Sequence, residues 1–184
     1  MERFKVEKTK IEGLYIIENL VHEDHRGHFV KTYDEVEFGQ KGLPTKYFQD
    51  DQSRSKKGVL RGLHFQKEHP QGKLVRVPHG KIFDVAVDLR GDSDTYGKWV
   101  GVILSGENNK MFYIPPGFAH GLLSLEDDSI FTYKCTELYY PNDELGLPWN
   151  DEDINIDWPL DDDEIILSDK DKKWKPLKEI KFKF

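Results

Sequence analysis

In three places in this chain, groups able to move a proton interrupt otherwise apolar segments. The first is Gly58-Val59-Leu60-Arg61-Gly62-Leu63-His64-Phe65-Gln66, where a guanidinium and an imidazole break an apolar run. Imidazole titrates near neutrality and is the side chain best suited to take and return a proton. A lone His in such a run is more often a satisfied core or rim residue, so the segment needs partners before it reads as a site. The second is Pro115-Pro116-Gly117-Phe118-Ala119-His120-Gly121, in which Pro and Gly set a tight turn and His120 starts the next strand. The third is Ile130-Phe131-Thr132-Tyr133-Lys134-Cys135. Strand alternation there puts Tyr133 on one face with Phe131 and Cys135. A Tyr so placed is usually core with its hydroxyl satisfied, yet a phenol beside an imidazole is also a workable acid.

The elements that must position these groups are short and rich in β-branched and aromatic residues. Gly, Pro, Asn and Asp separate them at the spacing of a β-sandwich or barrel. The clearest strand is Lys81 to Arg90, where Phe83, Val85, Val87 and Leu89 form an apolar face and Ile82, Asp84, Ala86 and Asp88 a mixed one. Further strands are predicted at Leu14 to Glu18, Leu74 to Val77, Trp99 to Leu104, Met111 to Ile114 and Ile130 to Thr136. A helix is predicted over Tyr33 to Gln40, with Asp34 near its start and Gly42 past its end. The acidic run Asp161 to Glu164 reads as a solvated loop. Ile180, Phe182 and Phe184 alternate with Lys181 and Lys183, a strand pattern whose edge pairs either with its own fold or with a second subunit.

Length and composition exclude several function classes. The 184 residues suffice for one well-buried core, so the expectation is a single domain over residues 1–184. The longest apolar runs fall far short of a membrane span, and the N-terminus lacks the apolar stretch of a secretory signal. Cys135 is the only cysteine, which rules out an internal disulfide and suits a reducing, cytoplasmic compartment. A net charge of -7 argues against nucleic acid as a partner, because phosphate backbones reward clustered Lys and Arg. A small anionic ligand remains compatible if a few cations converge.

The Pro-x-Gly-x-x-His spacing resembles the second motif of cupin barrels, many of which hold a metal through a His-x-His pair, a later Glu and the second-motif His. Here the only candidate ligands are His64, His69 and His120, and alternation puts His69 on the opposite strand face from His64. The set is incomplete, so chemistry by side chains alone, with no metal or other cofactor, is expected.

Beyond these segments the chain carries Asp24-His25-Arg26-Gly27-His28-Phe29, Gln71-Gly72-Lys73-Leu74-Val75, Asp84-Val85-Ala86-Val87-Asp88 and Ser168-Asp169-Lys170-Asp171. Taken in order with the others, they resemble the dTDP-4-dehydrorhamnose 3,5-epimerase family from about the first strand to Asp171. The resemblance implies a mostly β, cupin-type jelly-roll barrel with a few short helices, acting as a cofactor-free homodimer on a nucleotide-diphosphate sugar. It implies that His64 is the general base, Asp171 the carboxylate paired with it, Lys73 the cation facing the keto oxygen and Tyr133 the general acid. It further implies that Arg26, Gln49, Arg61, His120, Glu144 and Lys170 hold the diphosphate or the sugar, and that Tyr139 stacks on the base.

Two positions of that binding set depart from the family's pattern. Lys31 stands where the family usually has Glu, and Gln49-Asp50-Asp51 replaces Gln-x-Asn. The changes are opposite in sign, which predicts a Lys31 to Asp51 ion pair. Both bear on which nucleotide sugar binds rather than on the reaction. A sibling enzyme working at one carbon or on another deoxysugar is the first alternative, followed by a metal-dependent cupin enzyme and a non-catalytic sugar-nucleotide binding module.

Overall fold

Alternating side chains along short strands build two antiparallel sheets that face each other. The computed structural model describes residues 3–184, and among them thirteen strands form. They are β1 (Phe4–Lys8), β2 (Tyr15–Asn19), β3 (Val21–Asp24), β4 (Gly27–Val30), β5 (Gln49–Ser55), β6 (Leu60–Gln66), β7 (Lys73–His79), β8 (Lys81–Asp88), β9 (Trp99–Ser105), β10 (Lys110–Ile114), β11 (Phe118–Ser124), β12 (Ser129–Cys135) and β13 (Glu144–Gly146). Six strands pair in the order β1-β2-β10-β7-β12-β5 and five in the order β13-β6-β11-β8-β9, while β3 and β4 form a separate hairpin. Each predicted strand before the C-terminal tail has a counterpart within a residue or two, and the fold is the mostly β jelly roll that the resemblance implies.

Three apolar clusters hold the layers together. Val75, Val77, Phe112, Ile114 and Phe131 of the six-stranded sheet meet Ile82, Ala86, Val100, Leu104 and Leu122 of the five-stranded one. Each of these side chains larger than Ala86, once fully buried, contributes roughly 1.5–3 kcal/mol. The outer face of the six-stranded sheet is covered by Phe38 and Leu43, packed with Phe4, Ile17, Leu74, Met111 and Tyr113. The C-terminal segment coats the outer face of the other sheet, where Ile154, Leu177, Phe182 and Phe184 pack against Leu63, Phe65, Val85 and Val87.

This layering covers β8 on both sides. On its mixed face Ile82 and Ala86 join the inter-sheet core, and Asp84 and Asp88 are fully buried. A central strand covered on both sides loses the polar-out alternation of a half-exposed one. Asp88 fastens the loop after β8, accepting hydrogen bonds from Arg90 Nη2 at 2.7 Å, Ser93 Oγ at 2.6 Å and Thr95 Oγ1 at 2.7 Å.

The predicted helix forms as α1 (Glu35–Gln40), with Asp34 as the N-cap whose side chain accepts from Glu37 N. Three 3-10 turns complete the helical content described, one at Asp162–Glu164 in the acidic run. The C-terminal tail is not a regular strand, yet it pairs with its own fold: Gly91 N donates to Phe184 O and Phe184 N to Leu89 O.

Candidate active site

The candidate groups come from both sheets and meet between them. In β6 and β11 His64 and His120 are directly opposite each other, and Arg61 is opposite Leu122. Three steps along β6 therefore match two along β11, so β6 carries a bulge between Arg61 and His64. Strict alternation would have put these two residues on opposite faces, and the extra residue brings both to the barrel interior. Gly62 permits it: its φ is +110°, and a Cβ there would lie 2.6 Å from His120 O and Gly121 Cα. From the facing sheet, β7 supplies Lys73, β12 Tyr133, and β5 Gln49 and Asp51, with Tyr133 opposite Asp51.

Two contiguous hollows of about 260 and 350 Å³ share His64, Lys73 and Tyr133 in their walls. Arg61, His120, Lys170 and Asp171 line the first. Gln49, Asp51, Tyr139 and Glu144 line the second. Together they match the volume expected of a small-molecule site.

His64 Nε2 lies 2.5 Å from Asp171 Oδ1, across 107 residues of sequence. Asp171 reaches it because the segment before it is pinned to β6: Leu60 N donates to Ile166 O and Ile166 N to Gly58 O. The chain passes so closely that a Cβ on Gly58 would lie 2.3 Å from Glu164 O. Two residues not singled out as functional hold the carboxylate, Ser168 Oγ at 2.8 Å from Oδ2 and Trp174 Nε1 at 3.1 Å from Oδ1. The Trp174 ring also meets the imidazole edge to face, with centroids 5.9 Å apart. Burial pushes the Asp171 carboxyl up, but the hydrogen bonds from His64, Ser168 and Trp174 outweigh it and hold it below its usual range. Asp171 is thus an anion that orients the ring, and Nε2–H bonded to it leaves Nδ1 as the basic nitrogen.

Nδ1 faces a second carboxylate, Glu144 Oε1, at 3.5 Å. Glu144 also accepts from Tyr139 Oη at 2.8 Å and from Lys170 Nζ. Burial raises its pKa, and Lys170, Tyr139 and His64 bring the net shift below normal. Opposite them, the Lys73 ammonium lies 5.8 Å from the centroid of the Tyr133 ring. Burial and the nearby Asp51 carboxylate push the Tyr133 phenol well above its usual value, so it stays protonated and able to donate. Tyr139 is pushed up to about 12 by burial and its bond to Glu144.

Not every expected residue enters this pocket. The predicted Lys31 to Asp51 ion pair does not form among the described residues. Lys31 Nζ binds Asp34 Oδ2 at 2.7 Å, and Asp51 Oδ2 accepts from Gln49 Nε2 at 2.5 Å. The reason is proximity in the chain, since Asp34 is three residues from Lys31 while Asp51 faces the barrel interior. Arg26 stands on the β3–β4 hairpin, 78% exposed and paired with Asp24, beside a separate cleft lined by His22, Gly27 and Phe29. His69 stacks on Tyr140 and bonds Asp143 rather than joining His64 and His120. Among the described residues no three His, Cys, Asp or Glu side chains are grouped to hold a metal. No helix among them is long and apolar enough to cross a membrane.

Comparison with known proteins agrees with this geometry. A family model described as dTDP-4-dehydrorhamnose 3,5-epimerase matches residues 8–179. An enzyme of that name from Methanothermobacter thermautotrophicus is 57% identical over 97% of each chain, and one from Escherichia coli is 49% identical over 94% of each. A Legionella pneumophila epimerase crystallised with dTDP-4-keto-L-rhamnose superimposes with a TM-score of 0.93 at 46% identity, covering 96% of this chain and 94% of that one. With the model spanning most of its length and relatives this similar, the chain belongs to the dTDP-4-dehydrorhamnose 3,5-epimerase family.

Proposed function

We propose that this protein is a dTDP-4-dehydrorhamnose 3,5-epimerase, an isomerase that inverts carbons 3 and 5 of a dTDP-4-keto-6-deoxyhexose on the way to dTDP-L-rhamnose. The observation that carries the reading is the His64–Asp171 pair facing Tyr133 and Lys73 across one hollow between the sheets. Hydrogens on the two carbons beside a ketone are acidic, because the carbanion delocalises onto the carbonyl oxygen. His64 Nδ1 takes such a proton, Asp171 and Glu144 stabilise the imidazolium, and the Lys73 ammonium stabilises the enolate oxygen. Tyr133, from the opposite sheet, returns a proton to the other face and inverts the centre. Arg61 and Lys170 meet the diphosphate, His120 the sugar, and Tyr139 with Gln49 and Asp51 the nucleoside side. No cofactor is needed for this chemistry, and the whole chain serves as one domain.

Incubation with dTDP-4-keto-6-deoxyglucose in deuterated water tests the reading. Deuterium should appear at carbons 3 and 5, followed by NMR; no label at either carbon would end it. Label at one carbon only would make the enzyme a mono-epimerase.

The protein is further proposed to work as a homodimer in the cytoplasm. Phe29, Val36 and Phe48, the most exposed large apolar side chains, are 67%, 67% and 62% exposed and fall within one short stretch of chain, on or near the hairpin, α1 and β5. β5 is an open edge of its sheet. A two-fold partner would cover this surface and would receive Arg26 and Lys31 at its own pocket. Buried, unpaired Cys135 suits a reducing compartment. Light scattering should give about twice the 21.6 kDa chain mass; a monomer would rule the dimer out.

A further inference from the structure

The pocket contains a second imidazole–carboxylate pair. On the inner face of β8, Asp84 is fully buried, opposite Leu122 on β11 and Val102 on β9. Its Oδ1 lies 2.8 Å from His120 Nε2. Its Oδ2 is buried and has no hydrogen-bond partner in the protein. A carboxylate oxygen left so among apolar neighbours costs stability, and an apolar residue at this place in the core would not incur that cost. Stability therefore does not explain Asp84, and its surroundings suggest what does. Among the described residues His120 Nδ1 has no hydrogen-bond partner, and the ring lines the hollow beside His64 and Lys73. No carboxylate stands within ion-pair distance of Lys73 among the described residues, although it is enclosed between the sheets.

We propose that Asp84 is a positioning residue for the epimerisation. It holds His120 with its proton on Nε2, so that Nδ1 is presented to a sugar hydroxyl as an acceptor, and its second oxygen supplies counter-charge for Lys73. The proposal rests on the epimerase reading. It gives the two imidazoles different tasks: His64 has Glu144 next to its basic nitrogen and the more open position, whereas His120 is nearly closed off against Asp84. Burial pushes the His120 pKa down, against the pull of Asp84, so the ring is neutral at neutral pH and its Nδ1 can accept. Burial likewise lowers Lys73, opposed by Cys135 on β12, Glu144 on β13, Asp84 on β8 and Asp51 on β5. His64, Asp171, His120, Tyr133, Arg61 and Lys170 are the other titratable groups lining this space, with Tyr139 in the adjoining hollow. The Cys135 thiol is itself pushed up to about 11 and stays neutral, so losing Asp84 removes one of the three carboxylates that oppose the lowering of Lys73. Its pKa falls further, and the alkaline limb of activity should move to lower pH.

Two measurements test this. Nitrogen-15 NMR of the imidazoles in the unmodified protein should show His120 with Nε2 protonated and Nδ1 bare at neutral pH; a proton on Nδ1 would overturn the assignment whatever any variant does. Asp84→Asn should lower kcat about 10- to 100-fold, the size seen when a metal-bound imidazole loses its outer partner, with KM little changed. The alkaline limb of its kcat/KM profile should also shift to lower pH. Asp88→Asn removes a buried carboxylate from the same strand outside the pocket, and should lower the melting temperature without moving that limb. A folded Asp84→Asn enzyme with the parent's kcat and pH profile would refute the proposal, and would leave the epimerase reading intact as long as the parent still exchanges deuterium.

Discussion

Replacing His64 with alanine should lower kcat/KM by about 10³- to 10⁴-fold, the upper range for loss of a general base. Nothing else in the pocket can take its place. Glu144 is held below its normal pKa by Lys170, Tyr139 and His64 despite its burial, which makes it a weak base. His120 is tied to Asp84 on the far side of β11. The variant should still fold, because Asp171 keeps its bonds to Ser168 and Trp174, and the bulge at Gly62 does not depend on the imidazole. It should also still bind the nucleotide sugar through Arg61, Lys170 and Tyr139. The expected result is a folded protein that binds substrate and exchanges neither hydrogen with solvent. Exchange at carbon 5 at the parental rate would show that another group is the base.

Tyr133→Phe should separate two events that the parent enzyme joins. Proton removal by His64 and enolate stabilisation by Lys73 remain, so deuterium should still enter at carbon 5, returned from the face it left. Inversion should fall by roughly 10²- to 10³-fold, because no acid remains on the β12 side. The change is conservative for packing: the Tyr133 ring lies against Phe131 with centroids 5.7 Å apart and planes 17° from parallel, and Phe keeps that contact. Nuclear magnetic resonance of the sugar resolves exchange from inversion in one sample. Equal loss of both would count against Tyr133 as the second proton donor.

Much of this protein can be read from its residues in order, and the parts that cannot share a physical cause. Period-two alternation and turn residues identify β2, β7, β9, β10 and β12, because those signals are local. The start of α1 was legible for the same reason, since Asp34 caps a helix three residues on. The burial of the mixed face of β8 is not legible: a strand covered on both sides cannot be told from a half-exposed one by its own residues, and Asp84 looks polar in sequence while standing in the core. Lys31 and Asp51 were matched by sign alone, whereas each found a nearer partner within its own segment.

The proton-moving groups were visible as types, and the family resemblance assigned their roles. Their assembly was not visible, because it depends on contacts between residues far apart in the chain. His64 and Asp171 meet across 107 residues only because Ile166 is clamped to Gly58 and Leu60. Arg61 joins His64 only because β6 gains a residue on β11. Lys73 and Tyr133 face them because two sheets pack inner face to inner face. The sequence by itself determined the strand-rich class, the net negative charge and which residue types stand ready to move a proton. The tertiary structure alone decided that Asp171 and Glu144 flank the two nitrogens of His64, that Asp84 backs His120, and that Arg26 lies outside its own pocket. A hydrogen bond acts over about 3 Å, and only the folded chain brings such distances about.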